Sequence, residues 1–196
     1  MTTNLSSPTI LQLYVMEPII HKFLREVPFD TPERIERCAI VRWFDENTLA
    51  KFVGVEEPQV VIDHLRRLSF VEARNYGVAF HDLVRDSICQ ELSRQSPARY
   101  RDLHREAASY YRQRILHSSR ESAQRLVVEM VYHLMRADED EGTTQLEVIL
   151  ASVKAFLQLD LATALLETTD DLMLHDTNRL KIKKWKTALL TGKYAQ

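Results

Sequence analysis

The chain contains only four glycines, Gly54, Gly77, Gly142 and Gly192, among its 196 residues. Glycine provides the left-handed and strained backbone conformations that tight turns, bulges and phosphate-binding loops require. A chain with so few glycines, and only six prolines, is therefore poorly suited to an all-β or loop-rich fold. Because Leu, Arg, Glu and Ala are abundant, the sequence predicts a mainly α fold.

Composition and charge also restrict the cellular compartment and the binding partners that we expect. The net charge of −2 gives no general attraction to nucleic acid or anionic membranes. Cys38 and Cys89 lie far apart in apolar helical patterns, which is typical of reduced thiols and gives no metal-ligand spacing. The apolar stretch 8–20 is interrupted by Glu17 and has no basic residues before it, so we predict neither a signal peptide nor a membrane span. We expect a cytoplasmic protein that binds no metal.

Helix start signals divide the first half of the chain. Thr31-Pro32, Asp45 and Glu57-Pro58 each predict the start of a short helix, and Gly54 predicts the end of the second. Two β-prone runs around the turn 75–77 then predict a hairpin. A helix-turn-helix followed by a hairpin is the winged-helix arrangement, which we assign to residues 31–95. Residues 1–30 are predicted to hold one more helix, over 11–24.

The second half of the chain, residues 96–196, begins at the strong helix start Ser96-Pro97. Further amphipathic segments follow at intervals of roughly 20 residues, which fits antiparallel helix pairs in an α-helical array like that of TPR proteins. They cover 123–135, 146–159, 161–174 and 180–190. The acidic run 138–142 is predicted to be a solvated loop between two helices. No strict sequence repeat supports a particular repeat family.

A histidine and an aspartate stand together where the hairpin meets the next helix. Either His81 or Asp82 could satisfy free N–H groups at the helix N-terminus, and the aspartate also suits the positive end of the helix dipole. Histidine is not a preferred cap, and a ring beside exposed helix N–H groups is also suited to contact a phosphate. The residues alone leave both interpretations open.

This corner resembles the "MHD" motif of the STAND class of signalling ATPases, which includes the NB-ARC proteins and the bacterial AP-ATPase regulators. The stretch 78–86 reads VAFHDLVRD, with Phe80 where the family commonly has Met. Residues 37–52 and 97–111 are also similar to segments of that family, so the resemblance spans about residues 33–136. It implies that His81 contacts the β-phosphate of bound ADP. From its place at the helix N-terminus, we expect Asp82 to cap the helix and fix the corner.

The phosphate-cradling loop of that family is missing from this sequence. No GxxxxGK[ST] and no strand ending in paired acids occur, so neither Walker motif can be assigned. We therefore expect that this chain is not an enzyme and holds no cofactor alone. The resemblance implies a regulatory piece of a larger protein. A P-loop nucleotide-binding domain, in the same or a partner chain, would carry ADP or ATP, and the helical array would bind other proteins.

A winged-helix transcription regulator, with a helical sensing or dimerisation domain, is the alternative. The third helix of such a domain commonly enters the major groove. Here Gln59, Arg66 and Arg67 could reach bases or phosphates. Residues 33–95 nevertheless hold more acidic than basic side chains, whereas a DNA-reading module normally presents a basic face.

The most basic stretch of the chain is 181–186, KIKKWK. Ile182, Trp185 and Leu189 can share one face of a helix, with the lysines around it. We interpret it as an amphipathic terminal helix, and an acidic partner or a nucleic-acid backbone as the alternative. His104 and His133 are predicted to be packed or surface residues of helices. No histidine lies in a recognisable nucleophile motif.

Overall fold

The structure, a computed structural model, describes residues 26–29, 31–156 and 158–191. It is mainly helical with one small two-stranded antiparallel sheet, as the composition predicts. The chain divides into two compact units, one ending at Glu91 and the other beginning at Leu92. The sequence places the division four residues later, near Ser96. The predicted helix 11–24 lies outside the described residues.

The first unit begins with three short helical segments. They are α1 (Pro32–Ile40), α2 (Glu46–Thr48), which continues as a π-helical turn (Leu49–Val53), and α3 (Pro58–Leu65). The side chain of Asp45 accepts a hydrogen bond from the Thr48 N–H, which confirms the predicted cap. Gly54 ends the second segment in the left-handed conformation, with φ of 83°. The start signals therefore locate these helices correctly.

A hairpin follows the three helices. Strands β1 (Val71–Arg74) and β2 (Gly77–Phe80) pair antiparallel, with Val71 opposite Phe80. Phe44, in the segment between α1 and α2, also bridges to Val78 on the free side of β2. A Cβ at Gly77 would lie 2.4 Å from the carbonyl oxygen of Phe44. Only glycine allows the two backbones to approach so closely.

The core of the first unit joins the hairpin to the three helices. Its aromatic centre is an edge-to-face pair, with the rings of Phe44 and Phe80 5.5 Å apart, which is a favourable geometry for buried rings. Other buried side chains come from the helical segments and from β2, among them Ile40, Leu49, Ile62, Leu65 and Val78. The last helix of this unit, α4 (Asp82–Gln95), starts at the end of the hairpin and runs past the division into the second unit.

The second unit consists of long helices. They are α5 (Pro97–Ile115), α6 (Arg120–Ala137), α7 (Glu139–Ala155), α8 (Leu159–Glu167) and α9 (Asp176–Leu190). Consecutive helices of this series pack against each other. The predicted segment 146–159 starts seven residues too late, and 161–174 runs seven residues too far. No helix in the described ranges combines the length and apolar character needed to cross a bilayer.

The acidic run 138–142 is not a loop, and the prediction of one is wrong. Asp138 separates α6 from α7, and its carboxylate accepts hydrogen bonds from the N–H groups of Asp140 and Glu141. The acids that follow occupy the first turn of α7, where the helix dipole favours negative charge. Gly142 is buried against the backbone of Met135 in α6. A run of charges with the composition of a solvated loop is thus a capped helix start.

Candidate functional site

His81 lies between β2 and α4, at the predicted corner. Its backbone N–H donates to the carbonyl of Phe70, which continues the edge of the hairpin. Its own carbonyl accepts from the N–H groups of Val84 and Arg85, which opens the helix. The strand end and the helix start therefore fix the backbone on both sides of this residue. Its side chain is 56% exposed, so a group held by a neighbouring domain could reach it.

The ring of His81 provides the cap of α4. Its Nδ1 lies 3.4 Å from the backbone nitrogen of Leu83, the second helical residue, as a capping acceptor does. Because a backbone N–H only donates, Nδ1 accepts this bond and must be unprotonated. The proton of the neutral ring is therefore on Nε2, which leaves one N–H donor on the exposed side of the corner.

A carboxylate stands beside that donor. Oε1 of Glu72, in β1, lies 3.7 Å from Nε2 of His81, and Oε2 of the same group lies 2.6 Å from a guanidinium nitrogen of Arg74. Both pairs are partly exposed, so each stabilises the fold only weakly. Glu72 nevertheless places a negative charge close to the position that a phosphate bound by Nε2 of His81 would occupy. The guanidinium of Arg74 partly offsets that charge.

Asp82 is the first residue of α4 rather than its cap. Its carboxylate lies 3.5 Å from the guanidinium of Arg85, one turn further along the helix. Arg85 also contacts Asp86 at 3.0 Å. The acid at this first-turn position suits the helix dipole, but the bond to the Leu83 N–H is made by His81. The capping role that we expect for Asp82 is thus performed by its neighbour.

The three residues of the DNA-binding alternative lie at α3. Gln59 is in the helix, and Arg66 and Arg67 follow its last residue. The amide of Gln59 donates to Asp63 at 3.1 Å, and Arg66 forms an ion pair with the same carboxylate at 3.5 Å. Asp63 therefore places a negative charge between two of the groups that would face DNA phosphates, which weakens any electrostatic attraction.

A buried histidine pair joins α5 and α6, and the sequence gives no direct sign of it. Nδ1 of His104 and Nδ1 of His133 are 2.8 Å apart, and both rings are buried. One nitrogen must donate and the other accept, so two neutral rings have opposite tautomers. Burial, and then the positive charge of Arg136, lower the pKa of His104 from 6.5 to about 3. A buried, mutually hydrogen-bonded pair of this kind serves as a structural contact between the two helices.

Aromatic rings enclose the histidine pair. The ring of Tyr111 stacks on His133, and the ring of Tyr100 meets His104 edge-on at 4.5 Å. Nε2 of His104 is buried and has no hydrogen-bond partner within the part of the chain that the structure describes. The inward position of His104 could have been found from the sequence, because it stands beside the apolar stripe of Leu103 and Ala107. Its pairing with His133, 29 residues away, could not.

The second unit also has an open groove of about 490 Å³ between the start of α5, the turn from α6 to α7 and the start of α9. Both cationic and acidic side chains line it, among them Arg101, Arg105, Asp138, Asp140 and His175. Across the described ranges, no three His, Cys, Asp or Glu side chains converge as a metal site would require.

Comparisons with known proteins add no assignment. No protein-family model matches the chain, and searches of curated proteins and of solved structures found no match.

Proposed function

We propose that this chain is a non-catalytic regulatory part of a STAND-type signalling ATPase. In this proposal its first unit is a winged helix that senses ADP held by a neighbouring nucleotide-binding domain. Its second unit is a TPR-like helical array that mediates protein interaction. The observation that carries the proposal is the orientation of the His81 ring, whose Nδ1 accepts from the Leu83 N–H and whose Nε2 lies beside Glu72 at a partly exposed corner.

The order of elements supports a winged helix in the first unit. Three short helical segments precede a two-stranded hairpin, and Gly54 makes the turn between the second and third of them. The bridge from Phe44 to Val78 attaches the segment after α1 to the hairpin, which ties the wing to the helices. For the second unit, the consecutive packing of long helices supports an array of helix pairs.

The fixed ring orientation suits a phosphate contact. A donor fixed before the ligand arrives loses little side-chain entropy on binding. An N–H donor to a phosphate oxygen forms a charge-assisted hydrogen bond, which is stronger than a neutral one. His81 supplies one such donor at the N-terminal end of α4, where the helix dipole also favours an anion. One donor cannot hold a nucleotide alone, so the rest of the site must come from the domain that carries the P-loop.

The proposed switch follows from that division of the site. While ADP is bound, His81 holds the first unit against the nucleotide-binding domain. After exchange for ATP this contact is lost, and the first unit moves away and exposes surfaces for assembly. The second unit senses a partner or transmits the movement. In this scheme His81 is a ligand-sensing residue, and this chain contributes no group to the hydrolysis of ATP.

The test separates the capping role of His81 from its proposed phosphate contact. Asparagine is a preferred N-cap, so His81→Asn keeps the cap of α4 but removes the N–H donor at Nε2. In the full-length product of the gene, we expect this variant to release a fluorescent ADP analogue at least about tenfold faster, because a charge-assisted hydrogen bond contributes roughly 1.5–3 kcal/mol. The measurement is stopped-flow release of the pre-bound analogue.

His117→Asn is the matched control, because His117 is an exposed histidine after α5. It should release the analogue at the rate of the wild type. Thermal unfolding should show that His81→Asn folds as stably as the wild type. Unchanged release from His81→Asn would mean that the histidine is only a helix cap. A full-length product without a P-loop domain, and without a partner chain that supplies one, would also contradict the proposal.

Glu72 provides a second prediction at the same corner. Its carboxylate, 3.7 Å from Nε2 of His81, repels an anion that approaches this donor. We therefore expect Glu72→Gln to slow release of the ADP analogue about threefold, an effect of the size expected for one partly exposed charge. Glu56→Gln, an exposed acid before α3, is the control. Faster release from Glu72→Gln would show instead that the carboxylate orients the histidine for its contact.

A further inference from the structure

The terminal helix α9 has a second face that no other element covers among the described residues. One face packs on the second unit through Asn178 and Ile182, which are buried. The opposite face carries Leu180 and Leu190, which are 67% and 86% exposed. At 3.6 residues per turn, these two leucines are about 80° apart around the helix and about 15 Å apart along its axis.

Three lysines lie between the two leucines along the helix axis, with Lys183 and Lys184 on the side of Leu180 and Lys181 about 100° from it around the helix. Lys181, Lys183 and Lys184 are exposed, and within the described residues none of them forms an ion pair. The other cations of the helix are engaged, because Arg179 pairs with Asp176 and Lys186 pairs with Asp170. We call the set of Leu180, Lys181, Lys183, Lys184 and Leu190 the lysine face of α9.

We propose that the lysine face binds an acidic amphipathic helix of a partner protein. Apolar side chains at the two ends and three positive charges between them fit a helix with apolar residues on one side and carboxylates beside them. The proposal specifies the protein interaction that the proposed function gives to the second unit. It does not depend on the nucleotide contact of His81.

Charge argues against two other occupants. Binding to a nucleic-acid backbone gains affinity with each phosphate that is neutralised, and this face offers three exposed lysines unpaired among the described residues, beside two leucines. A two-fold contact between copies of the chain uses the same patch on both copies, so it would bring two positively charged surfaces together, which is repulsive. An acidic helix avoids both difficulties.

The test uses a synthetic probe of stated composition and the whole chain. The probe is a fluorescein-labelled helical peptide of about 20 residues, with leucines on one face, glutamates beside them and alanine elsewhere. Fluorescence anisotropy should show saturable binding, and a peptide with glutamine in place of glutamate should bind at least about tenfold more weakly. Replacing Lys181, Lys183 and Lys184 together by glutamate should cost a similar factor.

Two further variants show whether the effect is local. Replacing Lys51, Arg112 and Arg120 together by glutamate changes the net charge equally, at exposed positions elsewhere, and should change the affinity less than about threefold. Leu180→Ser with Leu190→Ser should weaken binding at least about threefold, since exposed leucines lose apolar contact. Far-ultraviolet circular dichroism should confirm that each variant is folded.

Several outcomes would overturn this proposal. They are the absence of saturable peptide binding, an equal loss in both triple glutamate variants, and tighter binding of a single-stranded oligonucleotide than of the peptide. A dimer in sedimentation equilibrium that only the α9 triple variant dissociates would identify a second copy as the occupant. The His81→Asn variant should bind the peptide like the wild type. A failure of the lysine-face proposal is therefore distinguishable from a failure of the proposed nucleotide contact.

Discussion

Gly142→Ala is expected to destabilise the second unit by about 1–2 kcal/mol, although alanine is the better helix former. A Cβ at this position would lie 2.5 Å from the backbone nitrogen and the Cα of Met135. Backbone atoms cannot turn away as a side chain does, so α6 and α7 must move apart. Overpacking of this kind costs about 1–3 kcal/mol or more, against a gain of about 1 kcal/mol from helix propensity.

Urea unfolding followed by circular dichroism measures this effect. Thr144→Ala, two residues further along α7 and exposed, is the control and should change the free energy of unfolding by less than about 0.5 kcal/mol. If Gly142→Ala stabilises the protein instead, as alanine does in an open helix, then α6 and α7 do not approach as closely at this point as described.

The second large effect is a loss of stability in acid that comes from His104. The folded protein holds this ring neutral, since its pKa is lowered from 6.5 to about 3 by burial and by Arg136. Below pH 6.5 the unfolded chain takes up a proton at this position that the folded chain does not. The free energy of unfolding therefore falls by about 1.4 kcal/mol for each pH unit between these two values. Above pH 6.5 this contribution is constant.

His104→Asn tests this dependence without removing the hydrogen bond to His133, because the asparagine amide reaches about as far as Nδ1 and does not titrate. Urea unfolding at several values between about pH 7 and pH 4 gives the free energy of unfolding as a function of pH. In the variant, the slope of this free energy against pH should be smaller by the contribution of one proton, about 1.4 kcal/mol per pH unit. His117→Asn replaces an exposed histidine and should keep the slope of the wild type. An unchanged slope in His104→Asn would show that this ring is protonated in the folded protein.

Local signals in the sequence predict much of the fold. Thr31-Pro32, Asp45 and Gly54 mark helix ends in the structure at the predicted positions, because caps and left-handed turns depend on a few adjacent residues. The start of α7 is not predicted, because it depends on packing between helices and not on adjacent residues. Its acidic run has the composition of a solvated loop, and only the packing against Met135 shows why residue 142 is a glycine.

The candidate site shows the same limit. The position of His81 between a strand and a helix follows from the sequence, because the turn residues and the helix pattern place both elements. The tautomer of the ring does not follow, since it depends on the bond with the Leu83 N–H. Residues far apart in the chain, such as His104 and His133, meet only through the packing of two helices. A single sequence carries no direct record of such a contact.

The first turn of α7 also supports the terminal helix. One carboxylate oxygen of Glu139 accepts hydrogen bonds from the backbone N–H of His175 and from the amide of Asn178, both at 2.8 Å. His175 itself makes no side-chain cap for α9. The N-terminus of α9 is therefore completed by a residue 36 positions earlier in the chain. Local opening at the start of α7 would therefore remove these contacts and loosen both helices together.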